Sequence, residues 1–410
     1  MNKYKLVIVF WNYYTQSSIN QFYKNLVYFK KLLPENSKLL ILDLTAFSLV
    51  KINNNYIHND SEVEYLKVIN ISDLKKIKKN LSDFEKIYAL GPINPDFKSF
   101  LIFLILRWLN LKLIFINNFG YYLKEKNVSN LNFTYKLKKF IYLRSSYYFS
   151  RILSQISIFP DIEYYFETSQ ERIHSMSNTT FKKIFNKIFY FKKINKKKII
   201  RINSLYYDKV IIHKDNIISK DYIVLIDSGF DHPDRLKFEK IKNQTKHDEK
   251  RKKYFQNLHN FLKNLEKSYN KEIIFCQHPK TNYSSHDFAK LIQDEFKIIK
   301  GGSEEYLEKA EIVVFTGASS MVNKAILLKK KILYAFSTDL GKHISDKVFS
   351  FLKIINLTLI NLDQFNLLDK NLVESKMLQS IDSYDEFIQN NLISKKNICS
   401  YDQIKQTLYK

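Results

Sequence analysis

Short apolar runs, each separated from the next by a stretch long enough for a helix, recur along this chain and limit what it can fold into. In the first half they are Leu6–Phe10, Lys38–Leu42, Lys86–Leu90 and Lys112–Ile116, with the amphipathic Ser18–Leu33 between the first two. A run of about five residues is too short for a buried helix and suits a strand covered on both faces. The second half is more regular. Tyr222–Ile226, Glu272–Cys276, Lys297–Ile299, Ile312–Phe315 and Lys331–Phe336 read as strands, and Asp248–Tyr269, His286–Glu295, Ser303–Lys309 and Ser319–Leu328 read as the helices among them. Such alternation predicts βαβ units and mostly parallel sheets.

At 410 residues the chain exceeds one ordinary core. The expectation is an α/β protein of two Rossmann-like domains facing a cleft: an acceptor-side domain over residues 1–200, a nucleotide-binding domain over 201–345, and a mostly helical closing segment over 346–410. Leu352–Leu362 adds a candidate strand and Ser375–Tyr409 reads as closing helices. Residues 127–201 are aromatic and basic with weak periodicity. They read as helices completing the first domain, apart from a strand-like Tyr164–Phe166. The apolar stretch Phe97–Ile116 approaches the length of a membrane span, but Arg107, Asn110 and Lys112 interrupt it. It divides into a helix (Phe100–Leu109), a turn and a strand.

The formal charge of +25 raises the question of a nucleic-acid partner. The excess is almost all Lys, dispersed along the chain, whereas base readout and bidentate phosphate recognition favour Arg. No common nucleic-acid module is legible, and none is expected as a partner. The Lys-rich segment Phe181–Arg201 interleaves bulky apolar residues with cations, a pattern that suits peripheral contact with anionic membrane and equally suits a solvated linker. Cys276 and Cys399 form no disulfide framework and point to a reducing compartment. The segment Leu6–Trp11 reads as a first strand, with no export signal before it. A cytoplasmic protein, at the inner face of the membrane if the basic segment docks there, is the expectation.

Chemistry-bearing residues gather just after the strand-like runs, where parallel sheets hold their ligands. Gln277-His278-Pro279-Lys280 follows Glu272–Cys276, and Thr316-Gly317-Ala318-Ser319-Ser320 follows Ile312–Phe315. The second joins strand to helix, so unpaired N–H groups and two hydroxyls could receive a phosphate; a plain cap by Ser319 is the simpler reading of the same residues. Pro279 fixes the chain after His278, whose imidazolium could meet phosphate charge. Asp227 ends Tyr222–Ile226, the position of a general base or of a turn cap. His232 with Asp231 and Asp234 is too local a set for a metal site, and no metal is expected. Ser303 reads as an N-cap with Glu304 and Glu305 in the first turn, and Glu304 is also placed to accept hydrogen bonds from a donor ribose. Gly91-Pro92-Ile93-Asn94-Pro95 is a loop after Lys86–Leu90.

His278-Pro279 together with Gly317-Ala318-Ser319-Ser320 and the trailing Lys330-Lys331-Ile332-Leu333 resembles the C-terminal domain of bacterial surface-polysaccharide glycosyltransferases of the two-domain glycosyltransferase-B fold. The HP and Ser-Ser motifs are similar to those of CMP-sugar-using sialyltransferases, polysialyltransferases and Kdo transferases. The resemblance covers roughly Tyr206–Thr338. It implies that His278 and the Ser319/Ser320 pair hold the CMP phosphate and that sugar passes from a CMP-activated donor to a capsule or lipopolysaccharide glycan; on the reading of the residues, Pro279, Gly317 and Glu304 join them as donor-binding candidates and His278 is also a catalytic candidate. No cofactor beyond the nucleotide-sugar is expected, and no metal, because no Asp-x-Asp motif sits after a strand. Such sialyltransferases carry an acidic base motif in the N-terminal domain. Its counterpart here, Asn117-Asn118-Phe119-Gly120, has no carboxylate, which leaves Asp227 as the candidate base. Wall-teichoic-acid polymerases using CDP-glycerol share similar motifs, so a glycerophosphotransferase is the rival enzyme. A basic membrane- or polyanion-binding scaffold is the non-enzymatic alternative.

Overall fold

The computed structural model describes residues 4–10, 29–33, 39–47, 63–82, 84, 86–90, 100–117, 162–170, 199–213, 220–227, 244–278, 290–317, 319–338 and 355–409. Two parallel sheets organise them. The first holds β1 (Tyr4–Phe10), β2 (Leu39–Asp43), β3 (Val63–Lys67), β4 (Lys86–Leu90), β5 (Lys112–Asn117), β6 (Ile162–Glu167) and β7 (Ile199–Arg201), in the order β3-β2-β1-β4-β5-β6-β7. The second holds β8 (Tyr222–Ile226), β9 (Glu272–Gln277), β10 (Lys297–Lys300), β11 (Ile312–Phe315), β12 (Lys331–Phe336) and β13 (Thr358–Asn361), in the order β10-β9-β8-β11-β12-β13. Two Rossmann-like α/β domains, as the alternation predicts, are therefore present.

The chain divides into two compact units. Residues 1–120, 129–204 and 394–410 form the first, and residues 121–128 and 205–393 the second. Helices α1 (Ile71–Leu81) and α2 (Phe100–Trp108) belong to the first unit, as does α9 (Ser400–Leu408). The second contains α3 (Leu205–His213), α4 (Gln244–Tyr269), α5 (Lys290–Glu295), α6 (Ser303–Lys309), α7 (Val322–Leu327) and α8 (Lys370–Asn391).

Alternation along each strand of the second sheet supplies two cores, because successive side chains point to opposite faces. Tyr222, Val224 and Ile226 of β8 join Val313, Phe315 and Tyr334 under α7 and α8. Ile223 and Leu225 join Val314 and Leu333 under Phe255, Leu258, Phe261 and Leu262 of α4. Burial on both faces explains why these strands read as unbroken apolar runs.

Three helix-to-strand joints close alike. Asn110, Asn270 and Lys329 take left-handed φ values of 57°, 53° and 53°. The next amide reaches five residues back: Leu111 to Leu106 at 3.0 Å, Lys271 to Glu266 at 3.3 Å and Lys330 to Ala325 at 2.9 Å. This Schellman closure satisfies helix carbonyls and turns the chain straight into a strand.

Several boundaries differ from expectation. Ile199–Arg201, placed among helices by its weak periodicity, is an edge strand on β6. The helix expected over Ser319–Leu328 is a turn followed by the six residues Val322–Leu327. Phe97–Ile116 does contain a helix and a strand, and among the described residues no helix is long and apolar enough to cross a membrane.

Candidate functional site

In the second unit the chain runs from β8 outward to β9 and β10, then returns to the other side of β8 as β11. This reversal makes β8/β11 the topological switch point, the place where open α/β sheets leave a crevice beyond their strand ends. Four of the residues singled out in the sequence lie at or beside it. Asp227 directly follows β8, His278 directly follows β9, and Thr316-Gly317 follows β11.

Asp227 is 5% exposed, and its Oδ2 accepts the His278 backbone N–H at 3.1 Å. The Asp227 amide in turn donates to the Cys276 carbonyl at 3.1 Å. The carboxylate thus ties the ends of β8 and β9 and fixes the backbone from which the His278 ring projects. Burial pushes the neighbouring Cys276 thiol up to about 12, so that sulfur stays protonated and is no nucleophile. On the other side of the switch, the Tyr334 hydroxyl donates to the Gly317 carbonyl at 2.9 Å, and Thr316 is fully buried.

Both serines are engaged locally. The Ser319 Oγ accepts the Met321 amide at 3.3 Å, a turn-forming bond, and the helix begins only at Val322 with no side-chain cap. Ser320, exposed, shares a hydrogen bond of 2.8 Å with the Tyr206 hydroxyl from α3. Burial raises the Tyr206 phenol to about 12, the Ser320 hydrogen bond pulls it back in part, and Glu304 adds to the rise. The phenol therefore keeps its proton at neutral pH. When it donates that proton to Ser320, the serine's own O–H is left to point elsewhere.

Glu304 is held rather than open. Its oxygens accept from Lys209 Nζ at 2.7 Å and from Lys324 Nζ at 3.3 Å. Burial works against its charge, but these two ammonium groups outweigh it and bring the carboxyl below its ordinary value. Lys324 is 1% exposed and lies between Glu304 and Glu308, the pairing that a buried cation requires. The N-cap expected of Ser303 falls instead to Gly302, left-handed at φ 65°, while Ser303 Oγ meets Met321 Sδ at 3.5 Å.

No family model matches the chain, and no curated protein matches it. Solved structures do match in outline. UDP-GlcNAc 2-epimerase from Methanocaldococcus jannaschii aligns over 99% of each chain at 13% identity, with a TM-score of 0.47. The wall teichoic acid polymerase TagF aligns over 100% of this chain and 87% of its own at 14% identity, with a TM-score of 0.46. WaaG, a glycosyltransferase involved in lipopolysaccharide biosynthesis, aligns over 98% of this chain and 99% of its own at 9% identity, with a TM-score of 0.47.

Sequence reasoning missed two contributors. Tyr206 and Lys209, one helical turn apart on α3, reach Ser320 and Glu304; their spacing was the available signal, but α3 follows the weakly patterned 127–201 segment. In the first unit, Glu167 ends β6 beside Asn117, where the sequence offered no carboxylate. It is 1% exposed and accepts both Asn117 amide contacts, at 3.0 and 2.9 Å, and the amides of Thr168 and Ser169 at 3.0 and 3.2 Å. So many donors suit a fastener of strand ends better than an open base.

Among the described residues no three His, Cys, Asp or Glu side chains gather as a metal site. Pro279, Ala318, Asp231, His232, Asp234, Asn118–Gly120, Gly91–Pro95 and residues 181–198 lie outside the described residues.

Proposed function

We propose that this chain is a glycosyltransferase of glycosyltransferase-B architecture, passing a sugar of the sialic acid or Kdo type from a CMP-activated donor to a capsule or lipopolysaccharide glycan. One observation carries the reading: Asp227, His278 and Thr316-Gly317 meet at the switch point of the second sheet, with the Ser319-Ser320 turn immediately beyond. That is where a nucleotide is bound in sheets of this order. His278 and the Ser320 hydroxyl supply donors to the phosphate, and Gly317, without a Cβ, lets it approach the backbone. Glu304, held by two lysines, would offer only its remaining lone pairs to ribose hydroxyls. Asp227 serves as base toward the acceptor hydroxyl, or holds His278 in place for that step. No metal enters this scheme, and the protein works at the inner face of the cytoplasmic membrane.

The test is thermal stabilisation of the full chain by CMP, CDP, UDP and GDP at equal concentrations, since a ligand of the folded state raises Tm. The expected result is a shift with CMP that disappears in His278→Ala and in Ser319→Ala/Ser320→Ala. Preference for CDP moves the assignment to a glycerophosphotransferase. Absence of any shift overturns the enzyme reading in favour of a basic scaffold.

A further inference from the structure

Helix α2 has the sequence Phe100-Leu101-Ile102-Phe103-Leu104-Ile105-Leu106-Arg107-Trp108, with Arg107 its single polar residue. A helix apolar all round is ordinarily covered all round. Here Ile102, Phe103, Ile105 and Leu106 pack into the first unit's core, while Leu101 and Trp108 remain 43% and 42% exposed. The neighbouring α1 adds Ile71, 66% exposed, and the preceding Ile69 is 67% exposed. An open groove between the two helices is lined by Ile71, Leu74, Leu104, Ile105 and Trp108.

Cations border this face: Lys75, Lys78 and Lys79, on the same side of α1 as Ile71 by helix spacing, and Arg107 of α2 are exposed. Asp73 is the acid of the two helices, and its carboxylate is committed to the α1 capping box with Asn70. Lys78 Nζ stands 4.3 Å over the Trp108 ring. An indole flanked by an ammonium, beside exposed Ile and Leu and a row of lysines, matches the chemistry of a membrane interface: apolar groups enter the acyl boundary, the indole sits at headgroup depth, and long cationic side chains reach the phosphates.

We propose that the outer face of α1 and α2 docks on an anionic lipid surface. The argument is independent of the nucleotide site and of the Lys-rich segment 181–201. A soluble polyanion would satisfy the lysines but leave Leu101, Ile71 and Trp108 in water. A second copy of the chain would cover the apolar groups but bring the lysines of two faces together.

The test measures co-sedimentation of the full chain with vesicles of phosphatidylcholine alone and of phosphatidylcholine with about one third phosphatidylglycerol. Because the chain holds two Trp, a Trp11→Phe background lets Trp108 report its own environment by fluorescence. The expected result is binding to anionic vesicles with a blue shift of Trp108. Leu101→Glu/Trp108→Glu and, separately, Lys75→Glu/Lys78→Glu should each lower partitioning about tenfold or more at unchanged Tm, since these side chains lie outside the core. Three outcomes overturn the proposal: equal binding to both vesicle types, anionic binding that survives both double variants, or no vesicle binding. A doubled mass in light scattering that Leu101→Glu/Trp108→Glu abolishes also overturns it, by assigning the face to a second copy.

Discussion

Asp227 combines two duties that a single substitution can separate. Asn at this position keeps an oxygen to accept the His278 amide, now at 3.1 Å, but loses the charge. Asp227→Asn should hold Tm near the parent value while lowering transfer by about a hundredfold if the carboxylate removes a proton. Full activity in that variant would leave Asp227 as a fastener alone. The Tyr206–Ser320 bond offers a second test, since the phenol held at about 12 is a reliable donor. Tyr206→Phe retains the ring and should weaken CMP binding about fivefold, the scale of about 1 kcal/mol for one hydrogen bond. Combined with Ser320→Ala the losses should be less than additive, because both remove the same oriented hydroxyl. Additive losses, read by calorimetric titration, would show that the two act separately.

Among the elements, the strands buried on both faces read most plainly, and the edge strands divide: Lys297–Lys300 and Thr358–Asn361 overlap runs legible in the sequence, whereas Val63–Lys67 and Ile199–Arg201 do not. Tyr222–Ile226, Ile312–Phe315 and Lys331–Phe336 stand where the apolar runs put them, because central strands of a covered sheet leave no place for polar residues. Val63–Lys67 forms an edge strand in which Glu64 and Lys67 interrupt the run, and such charges suit an edge for the same reason that they hide it. The site divides similarly. His278, Asp227 and Gly317 follow legible strands, whereas Tyr206 and Lys209 arrive from a helix that no periodicity announced. The Ser319-Ser320 turn was legible as a strand–helix junction, but its short helix and its local bonds depend on tertiary partners. Helix α6 carries a further test at its start. Gly302 adopts φ 65° with nothing within 4 Å of where a Cβ would stand, so Gly302→Ala meets only backbone strain. It should cost about 1 kcal/mol, visible in the denaturant midpoint.

At the scale of the molecule, the second sheet keeps binding and bracing on opposite rims. The candidate site lies beyond the strand C-termini, while Lys271, Glu311 and Lys331 cluster at the strand starts, with Glu311 to Lys271 at 2.7 Å and to Lys331 at 3.1 Å. The hydrogen bond from Lys271 leads in holding the Glu311 carboxyl below its ordinary 4.5, with burial opposing and Lys331 assisting. A carboxyl depressed in the folded state stabilises above its unfolded value and ceases to do so as pH falls through the folded one. Stability should therefore be level from pH 7 toward 5 and decline below about 4.5, with a shallower decline in Lys271→Met, as read by urea midpoints across that range. The first unit has a different dependence. Asn203, fully buried, donates to the carbonyls of Lys395 and Ile398 at 2.6 and 2.5 Å, accepts the amides of Ser394 and Lys395 at 2.5 and 2.9 Å, and donates its own amide to Gln403 at 3.0 Å. Those partners follow it by about 190 residues of chain. During synthesis the first unit must then wait, unfastened at Asn203, while the ribosome makes all of β8 to β13, so the second unit can complete its core before the first one does.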